Sequence, residues 1–345
     1  MGAGLTHETD LFRVGLIGYG YWGPKLARCL APDCAIRTIC DLSADRLAAA
    51  AEDHPRAALE RDWRRVVGDP AIEAIVIATP ASFHADLARA ALGAGKHVLV
   101  EKPMALASRD AVAMVEEARR RGLVLLVDHT YVHSPAIHRI REMLQQGALG
   151  QIREYRSLRY NSEGSRHDVD VLWDLAAHDL SILEDLFPGA AQAIGVSDAG
   201  GAADGPPSRA ALSVHFPGPL IARIRVDWAA GEKQRRIEIA GTKGSLIFDD
   251  LQPVKLRRIA AANGDADSVS ASGKQRPIAL EASEPLAMLA RHFAACMRGQ
   301  ADPLAGGRSA LSVIRMLEAA SASLAGGGSL ISLKTEDPPL TAFIR

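Results

Sequence analysis

The sequence predicts an α/β protein: an N-terminal Rossmann-type domain with a doubly wound parallel sheet, then a C-terminal α+β domain with a large, mostly antiparallel open sheet. Apolar strand-like runs alternate with helical patterns through the first part of the chain, the signature of a parallel sheet covered on both faces. The first run ends in Gly18, Gly20 and Gly23, a GxGxxG turn, and Asp41 closes the next run. From about His129 the pattern changes to longer strand-like segments separated by turn-rich pieces.

Taken in order, Arg13–Gly18 is a short apolar strand, and Gly23–Leu30 carries Leu26, Ala27 and Leu30 at helical spacing. Ile36–Cys40 is the second strand, with Ser43 as N-cap of a helix reaching Asp53. Ala74–Ala78 is the third, followed by Phe83, Leu87 and Ala91 as a buried helix stripe. His97–Val100 is the fourth. Ser108 then caps a helix with Asp110 in its first turn, Arg119, Arg120 and Arg121 in its last and Gly122 beyond, the charge order a helix dipole favours. Leu123–Val127 is the fifth. Ser134 and Pro135 read as N-cap and first residue of a helix closed by Gly147. Beyond Gly150, Ile152–Arg159, Ala211–Phe216, Leu220–Trp228, Arg236–Ala240 and Gly244–Phe248 read as strands, with turn-rich pieces at Gly200–Ser208 and Ala262–Gly273. Pro285–Met297 and Arg308–Leu324 are the closing helices; Leu311, Ile314, Leu317 and Ala320 form a packing stripe.

At 345 residues the chain exceeds one ordinary core, so two domains are expected, residues 1–130 and 131–345. With 48% hydrophobic residues, 23% charged residues and a formal net charge of −1, a globular protein is expected, with no electrostatic ground for binding nucleic acid or an anionic membrane. No apolar run approaches the ~18 residues of a membrane-spanning helix. Met1–Asp10 lacks the regions of a signal peptide, so a cytoplasmic location is expected. Cys29, Cys34, Cys40 and Cys296 form no CxxC pair and read as reduced core thiols, with neither metal nor disulfide.

The chemistry-bearing residues begin in the turn Gly18-Tyr19-Gly20-Tyr21-Trp22-Gly23. There a dinucleotide needs a tight turn, a bare backbone against its pyrophosphate and a helix N-terminus facing the phosphates. Asp41 would accept hydrogen bonds from the adenosine ribose and repel a 2′-phosphate, favouring NAD over NADP, with Arg46 nearby moderating that preference. Thr79 and Pro80 end a strand at the carboxyl edge of the sheet; His84 is either a hydrogen-bonding residue of the next helix or a catalytic one. In Val98–Met104 an apolar run ends at Glu101-Lys102, and Pro103 stops further ladder pairing. Lys102 is either a solvated strand end or a lysine in a cleft that handles a proton. Asp174 and His178, four apart on an apolar helix, share a face and are either a core pair or an oriented general base. His129 and His133 also share helical spacing, but no third ligand of recognisable spacing accompanies them, so no metal is expected.

Together Gly18–Gly23, Asp41, Thr79-Pro80, Glu101-Lys102-Pro103, Asp174 with His178, and the Gly241–Gly244 turn resemble the Gfo/Idh/MocA family, named for glucose-fructose oxidoreductase and inositol dehydrogenase. The resemblance runs along nearly the whole chain. It implies an NAD(P)-dependent dehydrogenase acting on CH–OH groups, with NAD bound by Gly18, Gly20, Tyr21, Trp22, Gly23, Asp41, Thr79, Pro80, His84, Glu101 and Lys102. By the same resemblance Lys102, Asp174 and His178 are catalytic, a sugar or sugar nucleotide is the substrate, and the open sheet forms homodimer or homotetramer contacts. His178 or Lys102 would accept the hydroxyl proton, a choice left open because each pKa depends on burial and on the other group. The Val171–Ser181 segment and the Gly20–Pro24 turn are similar to members acting on C3 of a UDP-N-acetylhexosamine. An inositol or cyclitol dehydrogenase, or a non-catalytic NAD-binding regulator, are the alternatives. Two features depart from the sugar-nucleotide pattern: Ala177 stands where proline is frequent, and Asn161–Asp168, with Glu163 and Arg166, is polar. Arg159 and Arg166 are either phosphate contacts or surface arginines.

Overall fold

In the computed structural model, which describes residues 11–162, 169–200, 207–260 and 274–333, the first apolar run is β1 (Phe12–Ile17), and it sits at the centre of a six-stranded sheet. After it come α1 (Gly23–Leu30), β2 (Cys34–Cys40), α2 (Ala44–Asp53), β3 (Ala58–Glu60), α3 (Trp63–Gly68) and β4 (Ala74–Ile77). The half closes with α4 (His84–Gly93), β5 (His97–Glu101), α5 (Ser108–Arg121) and β6 (Leu125–Asp128). All neighbouring strands are parallel, in the order β3-β2-β1-β4-β5-β6. Interior strands carry unbroken apolar stretches, as a sheet covered on both faces requires: Ala74 to Ile77 and Val98 to Val100 are wholly buried. The order reverses between β1 and β4, which opens a crevice at their carboxyl ends.

The chain divides into two compact units, one drawn from the described parts of Met1–Glu142 and Leu280–Ile314, the other from Met143–Arg166, Asp170–Ala279 and Arg315–Arg345. After α6 (Pro135–Gln145), the second unit contains β7 (Ile152–Tyr160), a π-helical turn Leu172–Ala176, α7 (Ala177–Leu186), β8 (Ala193–Gly200), β9 (Arg209–His215), β10 (Ile221–Asp227), β11 (Gln234–Gly241), β12 (Gly244–Asp249), β13 (Leu256–Ala260) and β14 (Gln275–Pro277). α8 (Pro285–Met297), α9 (Gly307–Ala325) and the short β15 (Ile331–Ser332) follow. The second sheet runs β14-β13-β12-β11-β7-β10-β9-β8-β15 and is antiparallel except where β7 lies parallel to β10. On β10, Ala222, Ile224 and Val226 are buried while Arg223 and Arg225 are exposed, so one face packs and the other meets solvent.

α8 belongs to the first unit although it lies far along the chain. Its Leu286, Leu289, Ala290, Phe293 and Ala294 share one core with Leu26, Ala27 and Leu30 of α1 and Val14 and Leu16 of β1. Arg28 reaches both carboxylate oxygens of Glu284, at 2.6 and 3.0 Å, but both partners are exposed and the pair adds little beside the apolar contact.

Several expectations need correction. Phe83 is 57% exposed, because Ala81–Phe83 forms a separate 3₁₀ turn and the buried face of α4 is His84, Leu87, Ala88, Ala91 and Leu92. Ser108 is the first residue of α5; the N-cap is Ala107, without a side-chain cap bond. Asp174 and His178 do not share one α-helix: Asp174 is in the π-helical turn and His178 in α7, so their angular offset differs from that of a regular helix. Residues 163–168, 201–206 and 261–273 lie outside the described residues, and with them Glu163, Arg166, most of Gly200–Ser208 and Ala262–Gly273. The four cysteines are buried and free, and burial pushes Cys29 and Cys296 up to about 11 and Cys34 and Cys40 up to about 12, far from the reactive range. No helix among the described residues is long and apolar enough to cross a membrane.

A group of histidines packs where α8 meets the Thr130–His133 turn. His133 lies 5.2 Å from His292 and 6.5 Å from His138, ring to ring, and Nε2 of His292 accepts the Leu304 amide at 2.9 Å. Burial holds His129 down to about 3; burial and the neighbouring His292, His138 and Arg141 hold His133 well below its usual range. Unfolded histidines titrate near 6.5, so below that pH the unfolded chain binds more protons than the folded one. The stabilisation from neutral burial is complete above about pH 6.5 and is lost as the pH falls toward about 3. The urea midpoint is therefore expected to drop between pH 7 and pH 5, and His133→Gln to flatten that slope; equal slopes in both proteins would contradict it.

Candidate functional site

The glycine turn is built by contacts too close for a side chain. At Gly18, with φ of +96°, a Cβ would lie 2.5 Å from the Ala78 carbonyl oxygen, and at Gly23 one would lie 2.3 Å from the carbonyl oxygen of Gly18. Gly18 N–H donates to Cys40 O at 2.8 Å, tying the end of β1 to the end of β2. α1 then begins at Gly23 with no side-chain cap on its first amides.

Asp41, buried at the end of β2, faces this turn. Tyr19 N–H donates to its Oδ2 at 2.7 Å and Ser43 N–H to its Oδ1 at 2.9 Å, while the Arg46 guanidinium stands 3.6 Å from Oδ2. Two side chains beside it are strongly exposed for their size, Tyr21 at 83% and Leu42 at 77%. The Lys25 ammonium lies 3.3 Å from the Tyr21 ring centroid. The Trp22 ring stacks with Tyr21, centroids 6.2 Å apart, and its indole N–H donates to the buried carboxylate of Asp128 at the end of β6. Bare glycines, an uncapped helix start, a held carboxylate and exposed apolar side chains fit a dinucleotide.

On the same edge of the sheet, His84 is fully buried, with Nδ1 2.7 Å from Pro103 O and Nε2 2.8 Å from Thr79 O. A neutral imidazole donates through one nitrogen and an imidazolium through both, so this ring ties the Thr79 and Pro103 segments together. The Thr79 hydroxyl is buried with no hydrogen-bond partner among the described residues. Pro80 is exposed, and Glu101 is buried at the end of β5. Lys102 is only 4% exposed, and its peptide bond to Pro103 is cis. It is therefore no solvated strand end.

In the second unit the Asp174 carboxylate is buried and accepts the Trp228 indole N–H at 3.0 Å. His178 is half-buried, and its carbonyl accepts the Ser181 hydroxyl at 2.7 Å. Neither alternative given for Arg159 holds. It is buried, with Nε 2.7 Å from the fully buried Asp179, whose other oxygen accepts the Ser157 hydroxyl.

The structure thus gathers Gly18, Gly20, Tyr21, Trp22, Gly23, Asp41, Thr79, Pro80, His84, Glu101 and Lys102 in the first unit, and Asp174 and His178 in the second. Sequence reasoning missed Asp128 and Trp228. Asp128 ends an apolar run as Glu101 does, a signal that was available; nothing local marks Trp228 as the partner of a residue so far back along the chain.

A family model described as "Oxidoreductase family, NAD-binding Rossmann fold" matches residues 12–129, and a GFO/IDH/MocA C-terminal domain model matches residues 137–247. A crystal structure from Magnetospirillum magnetotacticum MS-1 is 31% identical, with 90% of this chain and 99% of that chain covered and a TM-score of 0.79. Levoglucosan dehydrogenase of Pseudarthrobacter phenanthrenivorans is 27% identical over 304 residues, 74% of this chain and 77% of that protein. A structure of levoglucosan dehydrogenase with NADH and levoglucosan has a TM-score of 0.81 at 21% identity, covering 94% of this chain and 100% of the other, a likeness of fold.

Because its Cβ has no space against the Gly18 carbonyl, Gly23→Ala is expected to weaken NADH binding at least about tenfold, as read by fluorescence titration. Wild-type affinity in that variant would mean that the turn does not approach the dinucleotide.

Proposed function

Since the chain belongs to the Gfo/Idh/MocA family of oxidoreductases, with an NAD-binding Rossmann domain, we propose that this NAD-dependent dehydrogenase moves hydride between a sugar ring carbinol and nicotinamide. The observation that carries the reading is Lys102, buried at the carboxyl edge of a sheet whose switch point holds the glycine turn.

Gly18, Gly20 and Gly23 admit the pyrophosphate to the start of α1, Asp41 receives the adenosine ribose hydroxyls, and Tyr21, Trp22, Thr79, Pro80, His84 and Glu101 line or support the rest of the cofactor site. Bound NAD supplies the hydride acceptor. In oxidation, His178 takes the hydroxyl proton and Lys102 donates a hydrogen bond to the oxygen that loses it, lowering the energy of the negative charge developing there. The opposite sharing of these two roles uses the same residues. Asp174, held by the Trp228 indole, maintains the segment that leads into His178. His84 joins the two segments that carry Thr79 and Lys102.

The finer expectation, C3 of a UDP-N-acetylhexosamine, loses one support, because Arg159 is committed to Asp179 and is not offered to a phosphate. The open face of the second sheet is the proposed surface for a homodimer or homotetramer.

The test is NAD reduction with levoglucosan, D-glucose, myo-inositol and UDP-N-acetylglucosamine. NADH is expected to appear with at least one of them, and Lys102→Ala and His178→Ala are each expected to lower kcat by about 10² to 10⁴ with NADH binding retained. If all four fail while NADH still binds, the non-catalytic reading replaces this one; if both variants turn over like wild type, the residue roles are wrong.

A further inference from the structure

Asp128 is a buried acid with two donors and a cation around it. It is the last residue of β6, paired in register with Glu101 of β5, and is 2% exposed. Its Oδ2 accepts the Trp22 indole N–H, and its Oδ1 accepts the Thr130 hydroxyl at 2.5 Å. Lys102 follows Glu101, so the register brings the lysine to the neighbouring strand end, and it too is almost wholly buried. A buried ammonium is costly unless an anion and hydrogen bonds accompany it.

We propose that Asp128 is a positioning residue whose carboxylate both fixes Trp22 in the cofactor turn and balances the buried ammonium of Lys102. One charge then sets the glycine turn and the lysine together. This rests on the reading of the glycine turn as the cofactor site and of Lys102 as a proton-handling group.

Burial raises the Asp128 carboxyl above the usual carboxylate range, and the Thr130 and Trp22 donors and the charge of Lys102 offset part of that rise. The same lysine charge, after burial, helps hold His129 neutral. Neutral His129 supplies no second positive charge, and Glu101, paired in register with Asp128, is also a buried carboxylate. A carboxylate suits the position because it presents only acceptors, and both oxygens meet donors. An asparagine could keep both contacts, its oxygen accepting from Trp22 and its amide donating to the Thr130 oxygen, so Asp128→Asn removes mainly the charge.

Two double-variant cycles test the proposal without any sugar substrate. In NADH titrations, Trp22→Phe and Asp128→Ala, which each remove the indole–carboxylate bond, are each expected to weaken binding about tenfold, with the double variant no weaker than the weaker single one. In urea unfolding, Asp128→Asn is expected to lower the midpoint, and adding Lys102→Met to recover most of the loss, because the unbalanced charge is then gone. A merely structural Asp128 would not be rescued by removing Lys102. Additive NADH effects, a wild-type midpoint in Asp128→Asn, or no recovery in the Lys102→Met double variant would each overturn the proposal. Should Asp128→Asn alone fail to fold, a folded double variant supports the proposal and an unfolded one overturns it. Wild type that binds NADH but oxidises no sugar would defeat the dehydrogenase reading while leaving both cycles decisive.

Discussion

At the carboxyl edge of the first sheet, two peptide groups meet at a distance that excludes even a methyl group. The Gly18 carbonyl occupies the space that a Gly23 side chain would need, and the Ala78 carbonyl does the same for Gly18. That approach lets α1 start directly over β1 and leaves its first amides without a side-chain cap. It also brings the ends of β1, β2 and β4 close enough for single side chains to join them: Asp41 takes the Tyr19 amide of the turn as well as the Ser43 amide just after β2, and Trp22 reaches as far as the end of β6. The rest of the edge depends on this close packing, because each of these bonds is short-range and fails if the turn opens.

Buried charge recurs at the positions that matter, and in each described case it is accompanied. Asp41 is met by two amides and a guanidinium, Asp128 by an indole and a hydroxyl, and Asp179 by Arg159 and Ser157. Their chemistry differs all the same. Arg159 and Asp179 close on each other and lock α7 to β7, a structural use of charge. Asp41 lies at the open edge of the sheet next to exposed Leu42, in place of a closed charge pair.

The legible parts of the sequence were those governed by local signals. The glycine turn, the Ser43 cap with its Arg46 amide, and Pro285 at the start of α8 were readable because a few adjacent residues decide them. Phe83 misled because a repeat of four assumes that the helix has already begun, whereas Pro80 delays it by a 3₁₀ turn. β3 and α3 were missed because they are short and only partly apolar. The partners of Asp174 and of Arg159 were illegible for a different reason: Trp228 and Asp179 reach them through the pairing of strands and a helix, which no window of sequence contains.

α8 has a consequence for how the protein is made. Phe293 and its neighbours complete the core that Leu26, Leu30 and Leu16 begin, yet every strand from β7 to β14 separates them in the chain. On the ribosome the cofactor-binding half therefore emerges first and stays unfinished, its apolar α1 face open, until nearly the whole polypeptide has been synthesised. Strands β7 to β14 of the second sheet arrive in between and can pair before the half that precedes them is complete, with only the short β15 to follow. A fragment cut after β6 would carry every glycine of the turn after β1 and still lack the helix that closes the core beneath it.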